Sequence, residues 1–104
     1  LPAAKARLDE SLTLARELSL PYQTAHVLHH IGNIATMQYE HDKAKASLQE
    51  AIALYEELGD LRDLANAFND LSLVALLEAD YKLAQTYCRQ SVTLQEKIHN
   101  PLNY

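Results

Sequence analysis

Three histidines, His26, His29 and His30, fall within five residues and are the first candidates for chemistry. On a helix, His26 and His30 share one face, so both imidazoles could reach a single metal ion. No neighbouring Cys or Glu completes a coordination shell, so the sequence argues against a native metal site. A titrating role near neutral pH is the alternative that imidazole chemistry offers. The acids Glu10, Glu17, Glu50, Glu56, Glu57 and Glu96 stand at spacings that suit exposed pairs with Lys and Arg, the pattern of a solvated helix face. Cys88 is the single cysteine; the repeat described below aligns it with Leu48, so it is expected to pack as a small hydrophobe. No Gly-rich phosphate loop, serine elbow or Ser/His/Asp grouping is present. The expectation is a chain that is not an enzyme and carries no cofactor.

Composition narrows the partners. Of 104 residues, 48% are hydrophobic, with two Gly and three Pro, which is the profile of a helix-rich globular chain. The net charge of −5, with Lys and Arg scattered among acids, argues against nucleic acid, whose phosphates require a basic face. No apolar run approaches the ~20 residues of a membrane-spanning helix, so no membrane partner is expected. One cysteine excludes an internal disulfide framework, and no secretory signal is evident, so a cytoplasmic setting is expected. The chain starts without Met and in mid-pattern, as an excerpt of a longer polypeptide would.

The elements that must position these residues follow from a period of 40. Ala4-Lys5-Ala6-x-Leu8-x-Glu10 falls on Ala44-Lys45-Ala46-x-Leu48-x-Glu50; Leu14, Glu17 and Leu18 fall on Leu54, Glu57 and Leu58; Ala25 and Ala35 fall on Ala65 and Ala75. A gapless period of this length marks stacked units whose apolar faces cannot be buried alone. Within it the spacing is helical throughout: Leu8, Leu12, Ala15 and Leu18, then Leu28, Ile31, Ile34 and Ala35, and three later stripes of the same kind. Helices are predicted over 3–18, 22–39, 42–58, 61–79 and 81–98. Ser19-Leu20-Pro21, Leu58-Gly59-Asp60 and His99-Asn100-Pro101 form one class of break; Glu40-His41-Asp42 and Ala79-Asp80-Tyr81 form a second, where Asp can cap the following helix. Connections this short make neighbouring helices antiparallel.

Small residues recur at matching places. Leu28-x-x-Ile31-Gly32-x-x-Ala35 matches Phe68-x-x-Leu71-Ser72-x-x-Ala75, and twelve residues after Gly32 and Ser72 come Ala44 and Ala84. This pattern resembles the tetratricopeptide repeat, with large, large-small and mid-sized residues on its first helix and small-large-small on its second. Gly32 and Ala44 then leave no side chain between two backbones, so the paired helices approach closely. The usual aromatic residues are replaced by Leu28, Ala35 and Ala75, the proline ending the second helix is absent, and the unit is longer than usual. Extended units of this kind resemble those of bacterial regulators and signalling adaptors.

The resemblance implies an all-α fold, a right-handed solenoid of antiparallel helix pairs with five helices and the start of a sixth. Residues 1–20 would be the second helix of a preceding repeat, 21–60 and 61–100 full repeats, and 101–104 the start of another. It also implies a concave groove lined by first-type helices, here by His26, His29, His30, Asn33 and Met37, then by Asn66, Asn69, Asp70, Leu73 and Leu77. Such amides and imidazoles can donate and accept against a ligand backbone. The basic clamp that the family uses for a terminal carboxylate is missing, since His29 and Asn69 stand where Lys would be; Asp70 favours a neutral or basic ligand. Three functions are open: a non-catalytic module holding a peptide or partner helix within a scaffold or regulatory protein, a ligand-sensing regulatory domain, or a structural spacer. Apolar stripes left at both ends, Leu8, Leu12 and Leu18 on the first helix and Val92, Leu94 and Ile98 on the last, predict self-association.

Overall fold

The computed structural model describes residues 2–99; the expected start of a sixth helix at 101–104 lies outside them. The described residues form five helices: α1 (Pro2–Glu17), α2 (Pro21–Met37), α3 (His41–Leu58), α4 (Leu61–Leu77) and α5 (Tyr81–His99). Among these residues there is no strand, and no helix is long and apolar enough to cross a membrane.

The turns are more uniform than the two expected classes. Ser19, Tyr39, Gly59 and Ala79, spaced 20 residues apart, each take a positive φ of 53°, 59°, 69° and 61°. After each, the next backbone N–H reaches back five residues: Leu20 to the Ala15 carbonyl, Glu40 to Ala35, Asp60 to Tyr55 and Asp80 to Ala75, all within 2.9–3.1 Å. This is the Schellman closure, which satisfies carbonyls that a helix end would otherwise strand. The residue that closes one helix then opens the next, since the carbonyls of Leu20, Glu40, Asp60 and Asp80 accept from Thr24, Ala44, Leu64 and Ala84. Asp60 and Asp80 add side-chain caps to the N–H groups of Asp63 and Leu83. Asp42 does not cap as expected: Glu40 occupies the cap position, and the Asp42 carboxylate is fully exposed in the first turn of α3.

The helices stack in two layers. Each packs on its sequence neighbour, and α2 also touches α4, so α2 and α4 form one layer while α1, α3 and α5 form the other. The molecule measures 43 × 34 × 16 Å. The core runs between the layers through Leu28, Leu48, Tyr55, Leu64, Leu71 and Val74, with Ala25, Ala35, Ala44, Ala51 and Ala67 closing the helix crossings. A Cβ on Gly32 would lie 2.7 Å from Leu48 Cγ and 3.4 Å from the Ala44 carbonyl oxygen, so the close approach expected from the small residues is real.

Cys88 departs from expectation: it is exposed, although its counterpart Leu48 is fully buried. The reason is a missing neighbour, because α3 lies between α2 and α4 whereas α5 packs on α4 alone. For the same reason Val92 is half exposed. Leu18 and Leu58, placed in apolar stripes by their spacing, lie at helix ends and are also exposed.

Candidate interaction face

The ten residues expected to line the groove sit on α2 and α4, the two helices of one layer. They divide into two groups. Met37, Leu73 and Leu77 are 65%, 46% and 43% exposed, with the amides of Asn66 and Asn69 exposed and Asn33 half-buried. His30 is exposed as well. The remaining three, His26, His29 and Asp70, are joined in hydrogen bonds that tie α2 to α4.

His29 lies deepest. Its Nε2 is 2.7 Å from Asp70 Oδ2 and its Nδ1 is 3.2 Å from the hydroxyl of Tyr55. A carboxylate can only accept, so in the neutral ring Nε2 carries the proton and donates to Asp70, while the Tyr55 hydroxyl donates to Nδ1. Tyr55 is itself fully buried, at the end of α3, and its ring meets that of His29 edge-on at 5.8 Å. Burial raises the Tyr55 phenol well above its ordinary value, with the acids Asp63, Asp60 and Asp70 adding to the shift, so it stays a neutral donor.

His26 belongs to a second, more open cluster. Its Nε2 is 3.0 Å from the Tyr22 hydroxyl and 3.1 Å from Asp63 Oδ2, and Tyr22 donates to the same carboxylate oxygen at 3.2 Å. Burial works against ionisation of Asp63, yet hydrogen bonds with Asp60, His26 and Tyr22 outweigh it and hold this carboxyl below its ordinary range. Asp60 moves the other way, raised first by burial and then by the hydrogen bond it shares with Asp63.

The consequence for recognition is a change of character. His29 and Asp70 satisfy each other, so Asp70 is not the free acid that would select a basic ligand. Beside the exposed His30, the α2–α4 face is left with neutral amides and apolar side chains. His26 and His30 have ring centroids 6.4 Å apart, and among the described residues no group of three or more His, Cys, Asp or Glu could hold a metal ion.

Tyr22, Tyr55, Asp60 and Asp63 were not among the expected site residues. For Tyr22 and Asp63 a signal was in the repeat: Tyr22 to Asp63 and His29 to Asp70 are each 41 residues apart, one period plus one, which is an offset that brings α2 against α4.

The outer layer is pinned by ion pairs. Arg16 of α1 makes a two-pronged contact with Glu50 of α3 at 2.7 and 3.1 Å, Lys5 reaches Glu40 at 3.2 Å, and Lys45 reaches Glu78 at 3.0 Å. Exposed pairs of this type contribute about 0–1 kcal/mol each. They fix the orientation of the helices more than the stability of the fold.

Comparison with known proteins agrees with this geometry. No curated protein and no solved structure matches the chain. Residues 24–58, from the first turn of α2 to the end of α3, match the family model described as tetratricopeptide repeat. With its five helices and its two stacked pairs, α2–α3 and α4–α5, the chain is an all-α, tetratricopeptide-like helical repeat.

Proposed function

We propose that this chain is a non-catalytic interaction module that holds a peptide or a partner helix along the groove formed by α2 and α4, within a larger intracellular scaffold or regulatory protein. Tetratricopeptide repeats generally mediate contacts between proteins, and the observation that supports the reading here is the exposed stripe of Met37, Leu73 and Leu77 beside Asn33, Asn66 and Asn69. Apolar side chains this open on a helix layer are what an apolar anchor of a ligand covers, and the amides beside them can pair with its backbone. With His29 and Asp70 mutually engaged, the groove selects a ligand by its apolar anchors and not by a charged terminus.

A displayed peptide library selected against the protein tests this. Selected sequences should carry apolar anchors, and Leu73→Glu with Leu77→Glu should abolish their binding while leaving the helical spectrum intact. Selected peptides that bind the double variant as well as the parent would overturn the reading.

A further inference from the structure

Neighbouring helices run antiparallel, so the α1–α2 and α3–α4 junctions share one long edge of the stack, and the α2–α3 and α4–α5 junctions share the other. The first edge carries a pair of residues that the period repeats: Glu17-Leu18 at the end of α1 and Glu57-Leu58 at the end of α3. All four side chains are exposed, so the packing of the helices does not account for them.

This exposure belongs to the edge and not to a missing helix. α3 has α2 on one side and α4 on the other, and Leu58 is still 42% exposed. Leu18, whose helix packs on α2 alone, is 59% exposed, so the absent neighbour accounts for no more than the difference. Leu61 opens α4 on the same edge and is exposed too. Its counterpart Pro21 is exposed although α4 lies against α2.

The charge beside these leucines is one-sided. Glu17, Glu56 and Glu57 are exposed, and none of them is in an ion pair among the described residues. They occupy the last turns of α1 and α3, the carbonyl ends, where a helix favours cations over anions. The fold gains nothing from carboxylates there, whereas a cationic ligand would meet both the acids and the helix ends. Of the bases at these two junctions, Arg16 is taken up by Glu50, which leaves Arg62 of α4 against the three carboxylates. The last turn of α5 carries Lys97 and His99 instead, so the acidic stretch ends with the second junction.

We propose that this edge docks a basic amphipathic helix of a partner protein, with leucine-sized residues resting on Leu18, Leu58 and Leu61 and lysines or arginines meeting Glu17, Glu56 and Glu57. The site is separate from the α2–α4 groove and does not rest on the reading given for it. A second copy of the chain does not match the description. Edge against like edge sets carboxylates against carboxylates, and on the opposite edge Lys5 and Lys45 are already held by Glu40 and Glu78.

The test is a fluorescence-anisotropy titration with three labelled peptides of about 14 residues, the first with leucines on one helical face and lysines on the other. The second has glutamate for every lysine, and the third shuffles the residues of the first so that no face is apolar. The protein is compared with Leu18→Ser/Leu58→Ser and with Glu17→Lys/Glu56→Lys/Glu57→Lys. Both variants alter exposed side chains alone, and circular dichroism checks their helicity. The first peptide should bind the parent at least about tenfold more tightly than the other two. The serine variant should lose that advantage, and the lysine variant should prefer the acidic peptide. The groove variant Leu73→Glu/Leu77→Glu should bind the first peptide as the parent does. Absence of binding, equal affinity for the three peptides, a preference that survives charge reversal, or loss of binding in the groove variant would each overturn the proposal. So would self-association of the protein alone, seen in sedimentation, that the serine variant loses, because the edge would then belong to a second copy.

Discussion

His29 and Tyr55 form a hydrogen bond of 3.2 Å between the two layers, and Asp70 completes it from α4, so three helices meet at one imidazole. Each member depends on the others for its polar partner. Loss of a partner from such a site leaves a shielded polar atom unsatisfied, which costs about 1–3 kcal/mol. His29→Ala strands the buried Tyr55 hydroxyl and should fall in that range by urea denaturation. Tyr55→Phe removes the hydroxyl itself and should make His29→Ala cheaper in its background. A double-mutant cycle with no coupling between the two positions would contradict the network.

Gly32 tests how close α2 and α3 lie. Replacing a mid-helix Gly with Ala ordinarily gains about 1 kcal/mol. Here the new methyl would sit 2.7 Å from Leu48 Cγ, the branch atom of a fully buried side chain, with the Ala44 carbonyl behind it. Overpacking of this kind costs about 1–3 kcal/mol, and a branch atom held in the core puts it in the upper part of that range. Gly32→Ala should therefore destabilise, whereas Ser72→Ala, at the equivalent place in the next repeat, should be nearly neutral. The two midpoints in urea should separate clearly.

Three of the four turns place a side chain in the left-handed region, where a Cβ costs about 1–2 kcal/mol and Gly costs nothing. Ala79→Gly should raise stability by about 1 kcal/mol, since Ala79 sits at φ 61°. Gly59→Ala should lower it by a similar amount even though nothing lies within 4 Å of the added methyl, because the backbone conformation alone sets the cost. Thermal unfolding of the pair gives both signs directly.

Acid should distinguish Asp63 from Asp60. A carboxyl depressed in the folded state, as Asp63 is, contributes stability above its unfolded value near 3.8, and that stability is lost as pH falls through the folded value. Asp60, raised, acts with the opposite sign: its ionisation costs the folded state, and the cost vanishes as pH falls. The two act on opposite sides of the unfolded value, Asp60 above it and Asp63 below it. Asp63→Asn should flatten the loss of stability as pH falls below about 3.8, and Asp60→Asn, which keeps a good capping residue, should remove the gain that acidification gives as pH falls toward that value from above. Urea midpoints measured on both sides of it would decide; identical profiles in the two variants would contradict the assignment.

Much of the architecture was legible in the sequence because period, small residues and helix spacing all encode packing. The predicted helices end within two residues of the observed ones. The turns were harder to read, since Ser19, Tyr39 and Ala79 give no residue-type signal for a left-handed position and Gly59 alone does. Cys88 was misread because alignment with Leu48 transfers residue type but not neighbours, and burial depends on both flanking helices. The polar bridges between α2 and α4 escaped for a different reason. Viewed one helix at a time, Asp63 and Asp70 look like ordinary solvated acids, and only the offset of one period plus one reveals Tyr22 and His29 as their partners.

The equivalence of the four junctions has a corollary for chain length. Any two of them can be spliced without altering the geometry of the join, since each ends one helix and starts the next by the same backbone bonds. Excising 20 residues would preserve the join yet exchange a helix of one layer for a helix of the other; excising 40 would restore both. The architecture can thus be lengthened or shortened by whole helix pairs while every surviving contact keeps its register.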